Sequence, residues 1–107
     1  MKTRYLSSLL LLFVSVVPAA FAAGDPAAGR IKAEPCMGCH AVEGYFSVYP
    51  TYHVPRVGGQ HPEYIIAALK EYRAKQRSHA TMQAQAATLS DQDMADIAAF
   101  FSSFKAE

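Results

Sequence analysis

The residues best placed to do chemistry stand together in the run Cys36-Met37-Gly38-Cys39-His40, which holds the only two cysteines of the 107-residue chain. A disulfide between them would close too small a loop to restrain the unfolded chain usefully. A structural zinc site needs four ligands and a second Cys or His pair, and no such pair follows. A redox-active C-x-x-C wants a strand before it in a βαβ setting, whereas the residues ahead of Cys36 read as helix. The histidine directly after the second cysteine completes C-x-x-C-H, the attachment signature of a c-type haem. In that chemistry the thiols of Cys36 and Cys39 form thioethers with the porphyrin vinyl groups, and His40 supplies the proximal imidazole to the iron.

An electron-transfer haem has both axial positions filled, and methionine opposite histidine raises the reduction potential. Of the four methionines, Met1 falls in the leader described below, and Met37 is trapped between the thioether cysteines. Met94 lies on the apolar stripe of the last helix and reads as core. Met82 belongs to a stretch from Ser78 to Leu89 without helical period, where a loop can carry a side chain over a haem. Histidine is the alternative ligand. His61 precedes Pro62 and reads as a helix start, and His53 sits in an aromatic segment with no spacing that selects it. His79, three residues before Met82, stays open beside it on the residues alone.

The elements that must position these groups are helical. Residues 1–22 read as a signal peptide: a basic opening, an apolar stretch from Tyr5 to Val17, Pro18, and an A-x-A ending at Ala22. A transmembrane anchor would need about 20 apolar residues, and Ser7, Ser8 and Pro18 break this one. The expected mature domain, 23–107, carries eight Lys/Arg against nine Asp/Glu, and nothing in it points to nucleic acid. A domain this short needs a staple, and the haem supplies one. Asp25-Pro26 predicts a helix from Pro26 to about Pro35. Ala41 to Gln60, with Tyr45, Phe46, Tyr49, Tyr52, Pro50, Pro55 and Gly58-Gly59, reads as loop. Ile65, Ala68, Leu69 and Tyr72 fall on one face of a helix from Pro62 to about Gln76. Ser90-Asp91-Gln92-Asp93 reads as a capping box ahead of Met94, Ile97, Ala98, Phe101 and Phe104. The expected fold class is all-α, three to four helices with long loops around one haem. Gly29 and the group Phe100, Phe101 and Phe104 suit a close crossing of the first and last helices. Lys70, Arg73, Lys75 and Arg77 form a positive run, of which Lys70 and Lys75 read as solvated and Arg77 as a haem-propionate contact.

These features add up to a resemblance. From Gly24 to Phe104 the chain resembles the class I bacterial cytochromes c, particularly single-domain relatives of the cytochrome c4 group. The likeness rests on Gly29, C-M-G-C-H, Val54-Pro55-Arg56-Val57-Gly58-Gly59-Gln60 with Tyr64, and the run from Leu89 to Phe101. The resemblance implies that Met82, eight residues before Ser90, is the second axial ligand, and that the Pro55 carbonyl accepts a hydrogen bond from His40. It further implies a periplasmic electron carrier with one covalent haem c per chain, not an enzyme, serving redox donors and acceptors of a respiratory chain without stable membrane insertion. A gas sensor or peroxide-reducing protein with an open iron site is the alternative, as is an electron-entry subunit of a larger complex. The chain departs from the pattern after His40, where Ala41-Val42-Glu43-Gly44 replaces the commoner glycine-rich turn.

Overall fold

The computed structural model describes residues 23–41 and 53–104. The expected leader, and the loop containing Tyr45, Phe46, Tyr49 and Tyr52, lie outside the described residues. Five helices and no strand are present among those described: α1 (Pro26–Lys32), α2 (Glu34–His40), α3 (Pro62–Arg73), α4 (Ala80–Ala86) and α5 (Asp91–Ser102).

Two of these helices differ from what the residues predicted. The single helix expected from Pro26 to Pro35 is two, since α1 closes at Ala33, whose N–H reaches back to the Gly29 and Ile31 carbonyls. Pro35 then opens α2 instead of ending α1, because a proline in the first turn of a helix lacks only a donor that would have no partner there. The haem motif is therefore helical, where Cys36 was expected just past a helix end. The stretch from Ser78 to Leu89 likewise holds α4 instead of a loop. Its Ala- and Gln-rich sequence carries no apolar stripe, so periodicity could not find it. Elsewhere the starts agree: Asp25 caps α1 by accepting from the Ala27 N–H, and Ser90 with Asp93 forms a complete capping box on α5. α3 stops at Arg73, short of Gln76, and Lys75 turns the chain with φ of 59°.

The core gathers Ala33, Ile65, Leu69, Ala86, Met94, Ile97, Ala98 and Phe101. Met94 is fully buried, as its place on the stripe predicted. Helices α1 and α5 cross so closely that a Cβ on Gly29 would lie 1.9 Å from the Asp96 carbonyl oxygen. The crossing is locked by Asp96, itself only 3% exposed. Its carboxylate accepts from the Asp25 N–H at 2.8 Å, Lys32 Nζ at 2.6 Å and Gln92 Nε2 at 2.9 Å. The aromatic group behind the crossing packs ring to ring, with Phe100 and Phe104 centroids 5.0 Å apart. At the other end, Arg73 joins α3 to α5 by donating to the Leu89 carbonyl at 2.9 Å and to Asp91 at 2.6 Å. Lys70 is also engaged there, 3.3 Å from Asp91.

Candidate haem-binding site

Helical spacing sets the motif's geometry. In α2, Cys36 and Cys39 are three residues apart and His40 follows at four, so all three share one side of a short helix. They border one cavity of about 320 Å³. Both cysteines are free thiols, Cys36 half-buried and Cys39 exposed. Burial, reinforced by the neighbouring Cys39, pushes the Cys36 thiol up from its ordinary range.

The segment after the undescribed loop forms the next wall. Val54 is buried and anchors it, while the Pro55 carbonyl lies 2.7 Å from His40 Nδ1. A carbonyl can only accept, so Nδ1 carries the proton and Nε2 holds the lone pair a metal would use. At the far end of the segment the Gly59 N–H donates to the Phe101 carbonyl at 2.9 Å. Its φ of 82° suits glycine, and the bond ties this wall to α5.

Further lining comes from Ile65, Leu69 and Tyr72 of α3, Ile97 and Phe101 of α5, and Met82 of α4. Met82 is thus brought to the same cavity as Cys36, Cys39 and His40. Met94 is instead packed in the core. His53 and His79 also border the cavity. His79 stands at the N-cap of α4, where its Nδ1 accepts the Met82 N–H at 3.3 Å.

Arg77 borders the cavity too. Its guanidinium lies 5.0 Å from the Tyr72 ring centroid and 6.0 Å from that of Tyr64, and donates to the Tyr64 hydroxyl at 3.4 Å. This aromatic bracket was not foreseen. In the sequence Tyr72 reads only as a helix-face residue and Tyr64 only as part of the resemblance, since no local pattern says that two tyrosines will sandwich an arginine supplied by a later turn.

The donor set fits a haem. Two thiols at helical spacing suit two thioether links, an imidazole with a free Nε2 and a thioether sulfur suit axial coordination, and the apolar walls suit a flat macrocycle. Among the described residues no group of three or more His, Cys, Asp or Glu side chains could hold a metal by itself.

Comparison with known proteins agrees with this chemistry. A family model described as cytochrome c matches residues 27–105. The chain is 43% identical over 84 residues to cytochrome c-554(548) of Halomonas halodenitrificans, covering 76% of this chain and 98% of that protein. It is 38% identical over 96 residues to cytochrome c4 of Pseudomonas aeruginosa, covering 90% of this chain and 46% of that protein. With cytochrome c4 of Thiocapsa roseopersicina the identity is 39% over 79 residues, 73% of this chain and 39% of the relative. The chain therefore spans about half the length, or less, of the cytochromes c4 it matches. A helical fold around a cavity edged by C-x-x-C-H, matched by the family model across the whole of that cavity, leads to one assignment: the chain belongs to the cytochrome c family, and its cofactor is a covalently bound haem c.

Proposed function

We propose that the chain is a periplasmic electron carrier whose haem iron is held between His40 and Met82. The observation that carries this reading is that both side chains border one apolar cavity, while Met94, the other methionine on a core-facing helix, is sealed in the core. When bound, haem c supplies a one-electron iron couple. The chain's part is to set its environment. Cys36 and Cys39 hold the macrocycle covalently. The Pro55 carbonyl fixes the orientation of His40 and makes its imidazole a stronger donor. Met82 contributes a soft thioether that favours the reduced state. Ile65, Leu69, Ile97 and Phe101 exclude water, and Arg77 in its tyrosine bracket offers a positive charge to a propionate.

Carriage in the periplasm is supported by the leader-like residues 1–22 and by the covalent attachment motif. Among the described residues no helix is long and apolar enough to cross a membrane. The partners on this reading are redox proteins of a respiratory chain, met at the haem edge. The test is the optical spectrum of purified holoprotein with two substitutions. Wild type should show the weak red-edge band of iron–sulfur(Met) coordination. Met82→Ala should lose the band, lower the potential and bind carbon monoxide when reduced. Met94→Leu, a swap of similar volume, should keep the band and cost under about 1.5 kcal/mol. Loss of the band in Met94→Leu alone would move the ligand to Met94 and overturn the assignment.

A further inference from the structure

The helix that carries Met82 has little to hold it together. α4 is seven residues long, with Ala86 in its last turn as its one buried residue. An isolated helix of that length is unstable in water, and the apolar contact of its first turn is the partly buried Met82 side chain itself, packed against the core.

Polar ties hold that first turn. His79 has extended backbone, φ −172° and ψ 105°, and its side chain occupies the N-cap. That position ordinarily belongs to Ser, Thr, Asp or Asn, whose short oxygens reach the free N–H groups of the first turn. Here an imidazole does the work, with Nδ1 accepting the Met82 N–H at 3.3 Å. The acceptor role fixes the neutral tautomer, with the proton on Nε2. The ring is set edge-on against Tyr72, with centroids 6.5 Å apart and planes at 78°. One residue beyond Met82, Gln83 Nε2 donates to the Arg77 carbonyl at 2.9 Å. The backbone of Met82 is thus gripped directly by a side chain whose own orientation is set by a wall of the haem cavity.

We propose that His79 is a positioning residue for the iron: by accepting the Met82 N–H it fixes the turn that aims the Met82 sulfur and keeps that ligand from leaving. The inference rests on the axial role of Met82 proposed above. Without the cap, the first turn of α4 opens more often, and the sixth position becomes available to an outside ligand in proportion to the open fraction.

Three substitutions in the holoprotein test this, read by the red-edge band and by the rate of cyanide binding to the oxidised protein at neutral pH. His79→Ala should weaken the band and speed cyanide binding by about fivefold, the factor a lost cap implies. His79→Asn restores a capping oxygen and should return both readouts to wild type. His79→Phe keeps a ring against Tyr72 but offers no acceptor, so it should behave like the alanine variant. Wild-type cyanide kinetics in His79→Ala would overturn the proposal, as would rescue by Phe and not by Asn, which would reduce His79 to packing. A wild-type protein lacking the band would overturn the underlying Met82 reading instead. Loss of the sixth ligand in His79→Ala but not in Met82→Ala would make His79 itself the ligand.

Discussion

Replacing Gly29 with alanine should unseat α1 from α5. The new Cβ would lie 1.9 Å from the Asp96 carbonyl oxygen and 2.9 Å from the Phe100 Cβ, where ordinary contact begins near 3.4 Å. The nearer obstacle is backbone and cannot rotate away, so the helices must part by about 1.5 Å in a densely packed interior. That displacement carries the Asp25 N–H, now 2.8 Å from the Asp96 carboxylate, out of hydrogen-bonding range, while the flexible Lys32 side chain can follow. Overpacking costs about 1–3 kcal/mol, and a lost hydrogen bond to a charged group about 1.5–3 kcal/mol. Together these give about 2.5–6 kcal/mol, or at least about 10 °C in melting temperature for a domain of this size. The assay is thermal unfolding of the holoprotein followed by far-ultraviolet circular dichroism. Gly38→Ala is the matched control, since a Cβ there meets no protein atom within 4 Å, and it should be neutral or stabilising by up to about 1 kcal/mol. A Gly29→Ala protein melting within about 5 °C of wild type would refute the close-crossing argument.

Covalent attachment predicts that Cys36→Ala and Cys39→Ala sharply reduce holoprotein yield, and that acidic organic solvent leaves the wild-type haem on the chain; haem in the organic phase would refute the linkage. Asp93 is held down to about 2, chiefly by its hydrogen bond to Lys32, and Asp96 is also lowered, chiefly by Lys32. Depressed carboxylates stabilise the fold above their unfolded value near 4, and the contribution disappears as pH falls from there through about 2. Lys32→Met should destabilise the fold near neutrality, since Asp96 keeps two donors but no cation, and should raise the pH of acid unfolding; an unshifted acid transition would contradict this.

Much of the site could be read directly because its chemistry is local. Cys36, Cys39 and His40 declare themselves by spacing, and Ser90 with Asp93 announces the start of α5. Gly29 and the phenylalanines told of a crossing through the need for a bare backbone. What escaped were features set by distant contacts or by unpatterned sequence. The break at Ala33 depends on which carbonyls its N–H reaches, and Pro35 reads equally as a stop or a start. α4 has no amphipathic stripe, so Met82 was expected on a loop. The imidazole cap at His79 escaped because histidine is an uncommon residue at a position usually recognised by its oxygen-bearing side chains. The bracket of Tyr64 and Tyr72 about Arg77 needs α3 and the turn after it to be placed together first.

The grip of Asp96 on the Asp25 N–H joins residues 71 positions apart, and this bears on how the molecule is made. The haem-attachment motif is complete within five consecutive residues, Cys36 to His40, whereas the clasp on α1 needs α5 brought back across the whole domain. Until α5 arrives, α1 lacks its packing partner, and α2 beside it is too short to persist alone. The two thiols therefore pass through an interval in which they are open to attachment machinery on an unclosed chain. Closure across that separation carries a loop entropy that a short local helix does not, so the clasp between the first and last helices is the contact that seals the finished domain.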